Sequence, residues 1–413
     1  MKHKGMVLIY GLAVSMTCVS VIHYWWKLTL TQTVVYLQKK VDNRQHILYT
    51  QWVNHDTRWS NPKWSPDIQR SPYTESPDKC QPVKHFVFIK GKKCGGSTIT
   101  NVFLRYGETH DLTFILPKPR TSLITKEDME RHIGDDIDVI VHHAKYDEKL
   151  MERLMPKDTV YIGVIREPLN HLKSYYNYRN FGNILSKPTL AKFEENPWDY
   201  MEELGDEVKN FQSAWFGWDE NKTLDEDIIR KFVEDIEKRF DLILITDHMK
   251  ESLVLLKDVL CWSLDDLLFV SHKIANESMA IRKSIRKSGA HESSYLDHTP
   301  NTTLAVKNLR QLSSLDYSMF DHFNHTLWEN IKSKGDAFRY DLKQFDDKLR
   351  VIQRKCKYTE ESQTLNDDYI RKVADESSSS RDYRCHRMLF PPNWYSHYIL
   401  HPKQENKTNK TIT

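Results

Sequence analysis

The 413-residue chain lacks the short motifs with which proteins hold structural or catalytic metal ions. It contains six cysteines but no Cys-x-x-Cys pair, and it has no His-Glu-x-x-His motif. Zinc sites of the common kinds need ligands at such spacings. The sequence therefore predicts no bound metal. No internal repeat is apparent either.

A strong charge of one sign is also absent. The 60 lysines and arginines are balanced by 57 acidic residues, and the net charge is +3. Proteins that bind nucleic acids usually concentrate basic residues on one face or in one segment. Here the basic residues are spread along the chain, so we expect no nucleic-acid partner.

What the chain does contain is an apolar, strand-like run that ends in a glycine loop. Phe86–Ile89 predicts a buried strand, and Ser97–Tyr106 predicts a helix. The loop between them holds the adjacent glycines Gly95 and Gly96. Such a loop directs backbone N–H groups and a helix N-terminus towards one place, where phosphate is favoured. The segment predicts an anion-binding loop; a glycine turn with solvated lysines is the alternative.

The position of the lysine separates the classes of phosphate-binding loop. A Walker loop, as in nucleotide kinases, carries its lysine directly after the second glycine. Here Ser97 follows Gly96, and Lys93 precedes both glycines. This order disfavours a nucleotide kinase and resembles the 5′-phosphosulfate loop of sulfotransferases that use 3′-phosphoadenosine 5′-phosphosulfate (PAPS). The resemblance implies that Lys93 is catalytic. It implies these further cofactor-binding residues: Lys90, Lys92, Cys94, Gly95, Gly96, Ser97 and Thr98. For Lys90 and Lys92, simple solvation is an equal alternative.

A second motif follows another apolar run. Val160–Ile165 predicts a strand that ends in Arg166, and Pro168 is suited to the first turn of a helix. Ser174 then lies about two turns along that helix. A guanidinium and a hydroxyl placed in this way fit one phosphate, because arginine matches phosphate oxygens bidentately. The 3′-phosphate site of sulfotransferases has this layout, which makes Arg166 and Ser174 cofactor-binding candidates. A surface arginine beside a helix start is the alternative.

With both motifs, the chain resembles the galactose 3-O-sulfotransferases, the group that includes galactosylceramide sulfotransferase. The similarity runs from about Cys80 to the neighbourhood of Tyr395. The segments that carry it besides the two motifs are Phe88–Lys90, Asn101–Glu108, Glu251–Trp262 and Cys385–Leu389. It implies transfer of a sulfuryl group from PAPS to the 3-hydroxyl of a terminal galactose on a glycolipid or glycoprotein. Two alternatives stay open: a sulfotransferase for another sugar position, and a PAPS-binding or glycan-binding pseudoenzyme.

One departure from the family pattern lies in the loop. Where the family usually has Lys-Thr-His-Lys-Thr, this chain has Lys92 in place of the histidine and Cys94 in place of a threonine. Any catalytic duty of that histidine is therefore not carried over to this chain. Backbone donors and Lys93 are retained, so binding of PAPS is still expected.

The candidate for the general base comes from a third strand. Ile137–Val141 ends in His142 and His143, and successive strand side chains point to opposite faces, so one of the two is expected to reach the cleft. Alignment with the family's Tyr-Asp-Glu downstream makes His143 the counterpart of its histidine and the predicted base; a structural histidine is the alternative. Asn210 and Gln212 align with a segment expected to line the acceptor or cofactor site.

The amino terminus predicts a membrane anchor. Residues 6–26 are largely apolar and long enough to span a bilayer, and Lys2 and Lys4 precede them, which favours a cytoplasmic amino terminus. A cleaved signal peptide is the alternative. Six glycosylation sequons agree with a secretory lumen: Asn221, Asn276, Asn301, Asn324, Asn406 and Asn409. The family resemblance then implies a single-pass type II protein of the Golgi membrane.

The predicted organisation is a cytoplasmic tail (1–5), a transmembrane anchor (6–26), a stem (27–78), a luminal sulfotransferase domain (79–402) and a flexible tail (403–413). Apolar runs alternate with helix-like segments in the domain, which predicts an α/β fold with a central parallel sheet flanked by helices, as in the P-loop-like sulfotransferases. The predicted strands are Phe86–Ile89, Ile137–Val141, Val160–Ile165 and Leu242–Ile245. Four cysteines are expected to form disulfides, with three pairings open: Cys80, Cys261, Cys356 and Cys385. A homodimer is a further option.

Overall fold

The computed structural model describes residues 80–118, 121–181, 189–204, 208–219, 222–270, 302–356 and 383–400. They belong to one compact unit of residues 79–413. None of the helices in these stretches combines the length and the hydropathy needed to cross a bilayer. Several predicted features lie outside the described residues: the tail, anchor and stem, the C-terminal tail, and the sequons at Asn221, Asn276, Asn301, Asn406 and Asn409.

A four-stranded parallel sheet forms the centre of the described fold. Its strands are Phe86–Lys90 (β1), Val139–Ile140 (β2), Val160–Ile165 (β3) and Leu242–Ile245 (β4), in the order β2-β1-β3-β4. The prediction of a parallel sheet at these four places is confirmed. Only β2 is shorter than predicted. Residues 113–115 run beside it, and the backbone N–H of Ile115 donates to the carbonyl of Val139.

Helices surround the sheet on both sides, which explains why its strands are apolar throughout. They are α1 (Gly96–Thr109), α2 (Lys126–Glu130), α3 (Glu148–Leu154), α4 (Pro168–Arg179), α5 (Leu190–Glu195), α6 (Met201–Leu204), α7 (Glu226–Arg239), α8 (Met249–Leu260), α9 (Thr302–Leu312), α10 (Ser314–Lys355), α11 (Tyr383–Leu389) and α12 (Pro392–Leu400). Short 3-10 helices cover Pro197–Tyr200, Ser213–Phe216 and Thr246–His248. Aromatic contacts join α1 to the sheet: the Phe103 ring lies 5.1 Å from that of Phe86 and 5.0 Å from that of Phe88.

The strand order places the two phosphate motifs side by side. After β1 the chain forms β2 on one side of β1 and then crosses over to form β3 on the other side. The neighbouring strands β1 and β3 are therefore followed by loops that run in opposite directions along the sheet. Ligands of open parallel sheets bind at such a point, beyond the carboxyl ends of the strands. The glycine loop follows β1, and Arg166 follows β3. The topology thus brings the loop and Arg166 to one crevice.

Two disulfides select one of the three pairings that the sequence left open. Cys80 is bonded to Cys261, which ties the segment before β1 to the end of α8. Cys356 is bonded to Cys385, which ties the end of α10 to α11. Among the described residues, Cys94 is the free cysteine, and it is buried.

Candidate active site

The loop after β1 has an unusual backbone. Lys93 and Gly95 both have positive φ angles, of 69° and 68°. Glycine adopts this conformation readily, but a lysine there is strained, and such strain concentrates at functional sites. Gly95 is also the N-cap of α1, and none of the described side chains caps this helix. The N–H of Thr98 donates to the Gly95 carbonyl at 3.2 Å, which leaves the N–H groups of Gly96 and Ser97 as donors for an anion.

Lys90 supports the loop from the protein interior. It is 2% exposed, and its Nζ donates to Thr100 Oγ1 at 2.7 Å. Gly96 packs on it so closely that a Cβ at Gly96 would lie 2.6 Å from Lys90 Cδ. The alternative of a solvated Lys90 is wrong, because the last residue of β1 points beneath the loop. This placement disfavours direct contact between Lys90 and a phosphate. The lysine instead contributes positive charge from beneath the loop.

One face of α4 lies along the loop. His171 Nε2 donates to the carbonyl of Lys92 at 2.9 Å, and Lys93 Nζ lies 4.8 Å from the centre of the Tyr178 ring. Ser174 is three residues after His171 and four before Tyr178, so it shares their side of the helix. The half-buried Ser174 is thereby placed on the face that borders the loop, and α4 begins at Pro168 as predicted.

Arg166 reaches the loop from the end of β3. Its Nη1 donates to the carbonyl of Lys93 at 3.4 Å. Its Nε is buried and has no hydrogen-bond partner among the described residues. Buried donors of this kind are rare, and leaving one unsatisfied is costly. An anion that accepts from Arg166 in the crevice would satisfy it.

Gln212 connects the two phosphate motifs from behind. Its Oε1 accepts from the backbone N–H of Arg166 at 2.8 Å, and its Nε2 donates to the Arg166 carbonyl at 2.9 Å. The same Oε1 accepts from Cys94 Sγ at 3.3 Å. Gln212 is 2% exposed. The structure therefore places it behind the wall of the crevice, where it holds the motifs together, rather than in contact with an acceptor.

Asn210 and Cys94 are likewise turned inward. Asn210 is 2% exposed, and its Oδ1 accepts from the backbone of Leu315 and Asp316 at the start of α10. The Cys94 side chain is fully buried, and burial raises the pKa of its thiol. A neutral, inaccessible thiol does not bind a phosphate, so only the backbone of Cys94 is placed to do so.

The two histidines after β2 point to opposite sides, as strand geometry predicts. His143 is half-buried, its ring centre lies 5.4 Å from that of Trp215, and its Nδ1 donates to the carbonyl of Lys90 at 3.2 Å. His142 is fully buried, with its Nε2 2.6 Å from Ser396 Oγ in α12. Because a neutral imidazole has one N–H, the bond at Nδ1 leaves Nε2 of His143 with a lone pair. His143 is thus in the tautomer that accepts a proton at Nε2.

The charge state of His143 follows from its surroundings. Burial, with the positive charges of Lys90 and Lys92, lowers its pKa to about 3. His143 is therefore neutral from pH 5 to pH 8. An anion bound at the loop would offset the charge of both lysines and raise this pKa towards the range that suits a general base.

The structure reveals supporting residues that no local motif indicated. Thr246, at the end of β4, has its Oγ1 2.7 Å from the Cys94 carbonyl and 3.1 Å from that of Ile165. Asp316, in α10, accepts from the backbone N–H of Gln212 at 3.0 Å. Only His171 had a local signal, since it lies one helical turn before Ser174.

The sequon at Asn324 is the one within the described residues. Asn324 lies inside α10 and is half-buried, and its Oδ1 has no hydrogen-bond partner in the described part of the chain. Glycosylation at this position stays a prediction.

Buried His171 makes stability depend on pH. Burial lowers its pKa to about 4, from an ordinary value of 6.5. The unfolded chain therefore takes up the proton more readily, and stability is complete above pH 6.5 and falls as the pH drops from 6.5 towards 4. For His171 alone we expect a loss of about 1.5 kcal/mol between pH 6.5 and pH 5. Thermal unfolding at both pH values should show a smaller pH effect in His171→Gln than in the wild type, and no such reduction in the control His325→Gln, at an exposed position of α10. An unchanged pH effect in His171→Gln would contradict this assignment.

Comparison with known proteins adds the family. A family model described as galactose-3-O-sulfotransferase matches residues 55–374. The chain is 25% identical to galactose-3-O-sulfotransferase 2 of Mus musculus over 373 residues, which cover 81% of this chain and 90% of the relative.

Two further relatives match over a shorter length. Identity to galactosylceramide sulfotransferase of Homo sapiens is 25%, covering 63% of this chain and 60% of the relative. Identity to galactose-3-O-sulfotransferase 3 of Mus musculus is 28%, covering 64% of this chain and 61% of the relative. The chain thus spans less than two thirds of the length of these two relatives.

Proposed function

The chain belongs to the galactose-3-O-sulfotransferase family and is a sulfotransferase, and on that premise we propose that it transfers a sulfuryl group from PAPS to the 3-hydroxyl of a terminal galactose. The acceptor would be a glycolipid or a glycoprotein glycan, since galactosylceramide is named for one relative and galactose for the others. Golgi residence and a type II anchor belong to the same proposal; the predicted anchor and the two disulfides support them.

The observation that carries the proposal is the meeting of two basic motifs at one crevice. The glycine loop and Arg166 follow neighbouring parallel strands, and Arg166 Nη1 lies 3.4 Å from the Lys93 carbonyl. The buried Nε of Arg166 and the uncapped start of α1 both need an acceptor. PAPS carries phosphate at two places, and the residues present fit such a ligand.

The roles of the residues follow from their positions. PAPS supplies the sulfuryl group, and its phosphate leaves with the bonding electrons as the galactose oxygen bonds to sulfur. Lys93 and the first N–H groups of α1 would bind the 5′ end and stabilise the charge on the leaving phosphate. Arg166 and Ser174 would bind the 3′-phosphate. His143 would take the hydroxyl proton at Nε2.

The test of function is turnover. The full-length protein in detergent would be incubated with labelled PAPS and an array of terminal galactosides and other sugars, and the sulfated position mapped by mass spectrometry and NMR. We expect sulfation at the 3-position of galactose, and a rate roughly 150-fold lower in Lys93→Ala. Sulfation at another position would replace the acceptor assignment, and PAPS binding without turnover would identify a pseudoenzyme, the alternative raised by Lys92 at the family histidine's place.

Removal of the Arg166 side chain should weaken binding of the desulfated product, 3′-phosphoadenosine 5′-phosphate. Arg166→Ala removes a charge-assisted contact, for which we expect a loss of about 1.5 to 3 kcal/mol in binding free energy. Calorimetry with the desulfated product measures this without turnover. The control is Arg153→Ala, an exposed arginine of α3, which should bind as the wild type does. Equal affinity of the folded Arg166→Ala variant would place the 3′-phosphate elsewhere.

A further inference from the structure

A second cavity lies at the far end of α1 from the glycine loop. It has a volume of about 340 Å³, which is in the size range of small-molecule sites, roughly 300–1,000 Å³. The residues that line it are Arg105, Tyr106, Thr109, His110, Asp265, Asp266, Arg384 and Arg387. Since α1 has 14 residues, about 20 Å of helix separates this cavity from the start of α1 at the crevice. The cavity belongs to no part of the mechanism above.

Arg105 is a buried cation that forms no ion pair with any carboxylate of the described residues. It is 8% exposed, and its guanidinium donates to Asn101 Oδ1 at 3.0 Å and to the Leu268 carbonyl. Both acceptors are neutral, and none of the described carboxylates forms an ion pair with Arg105. Buried charges in proteins are normally paired, because burial of an uncompensated charge is costly. Burial also lowers the pKa of Arg105 to about 10; the charges of Arg384 and Arg387 act in the same direction, whereas Tyr395 and Asp266 act in the opposite one.

The residues around the cavity carry a net charge of +1 once their ion pairs are counted as neutral. Arg387 is paired with Glu108, and Lys348 is paired with Asp265. Of the other charged residues that line the cavity, Arg105 and Arg384 are cationic, and Asp266 is anionic. A ligand group of charge −1 would therefore balance the site. Sulfate esters and carboxylates carry that charge, whereas a phosphate monoester carries close to two.

A second, independent observation concerns Tyr106, which lines the same cavity. Tyr106 is 4% exposed, lines the cavity, and its phenol oxygen has no hydrogen-bond partner among the described residues. Its ring lies between those of Trp262 and His110, with ring centres 3.4 and 3.9 Å away. His110 is exposed, so the aromatic stack ends at the cavity with a ring that a ligand can reach.

The remaining lining groups suit sugar hydroxyls. Arginine groups donate, the carboxylates of Asp265 and Asp266 accept, and the Thr109 hydroxyl does both. An exposed aromatic ring beside them offers an apolar face for the C–H groups of a sugar ring. We propose that this cavity binds a saccharide that carries one singly charged anionic group, either a sulfate ester or a carboxylate. The inference is independent of the transfer reaction.

The test measures binding to the full-length protein in detergent by calorimetry. The probes are methyl β-galactoside 3-sulfate, methyl β-glucuronide, the neutral methyl β-galactoside and sodium sulfate. We expect saturable binding of at least one charged glycoside, at least tenfold tighter than that of the neutral glycoside or of sodium sulfate. Which charged glycoside binds distinguishes the sulfate ester from the carboxylate. Absence of saturable binding, or sodium sulfate binding as tightly as the glycosides, would overturn the proposal.

Two variants locate the binding. Arg384→Gln, at an exposed position, should weaken it at least tenfold, whereas Lys93→Ala in the glycine loop should leave it unchanged. Binding that is lost in Lys93→Ala and kept in Arg384→Gln would belong to the crevice and would overturn the proposal.

Arg105→Met separates a ligand-binding role from a structural one. Without ligand, we expect its thermal midpoint to equal or exceed that of the wild type, because an apolar side chain replaces an uncompensated charge. The rise in midpoint that the charged glycoside causes in the wild type should be absent. A lower midpoint without ligand, together with an intact response to the glycoside, would show that Arg105 is structural.

Discussion

Lys93→Ala should lose most of its turnover. Lys93 follows β1 at a strained positive φ, and its ammonium belongs to the group of cations at the crevice. Loss of one electrostatic donor to a developing charge costs on the order of 3 kcal/mol, or roughly 150-fold in kcat. Alanine retains the Cβ, so the variant tests the ammonium and leaves the backbone restriction of this position in place. The measurement is kcat with saturating PAPS and galactoside acceptor.

The control for Lys93 is a lysine near the amino end of β3, at the opposite end of the strands from the glycine loop. Lys157 is exposed in the segment before β3, and Lys157→Ala should retain wild-type kcat. Lys93→Arg keeps the charge on a different geometry and should recover part of the rate. Near-native kcat in Lys93→Ala would remove this residue from the mechanism.

His143→Gln should lower kcat at least a hundredfold while affinity for the desulfated product stays close to that of the wild type. Base catalysis contributes about that factor, and a glutamine in this place cannot take the hydroxyl proton. The geometry supports the role, since the Nδ1 bond to the Lys90 carbonyl leaves Nε2 able to accept. With a pKa of about 3, His143 is neutral from pH 5 to pH 8, and we expect no loss of kcat/KM for PAPS in that range from its protonation.

The neighbouring histidine supplies the matched control. His142 is fully buried and lies 2.6 Å from Ser396 Oγ, so His142→Gln should lower the thermal midpoint and leave kcat nearly unchanged. A large loss of kcat in His142→Gln, with little change in His143→Gln, would identify His142 as the base. If neither variant affects kcat, Lys92 becomes the candidate for the base.

The fold and the place of the site were predictable because their signals are local. A parallel strand buried on both faces reads as a continuous apolar run, and all four runs are strands. The glycine loop and the arginine motif each occupy one short segment, and Pro168 marks the helix start by its own geometry. The apolar run at Ile137–Val141 predicts a longer strand than the two residues of β2, and residues 113–115 pair beside it.

Positions of individual side chains around the site depended on contacts between distant segments. Lys90 and Lys92 look alike in sequence, yet only Lys90 is buried, since the pleat of β1 turns it beneath the loop. The sequence predicts Gln212 in the lining of the acceptor or cofactor site, but it bonds to Arg166 and Cys94, which are 46 and 118 residues away. The sequence of one segment does not show which distant residues its side chains will contact.

The sequence by itself determined the family, the parallel α/β architecture and the two phosphate motifs, because each depends on residues that are adjacent or one helical turn apart. Tertiary structure alone decided the pairing of the four cysteines, the inward position of Asn210, and the hydrogen-bond partners of His142 and His143. It also decided that Arg105 lines a cavity and forms no ion pair with a carboxylate in the described part of the chain. These features arise from packing of segments that lie far apart in the chain, where burial and partner atoms set the charge and the reach of each group.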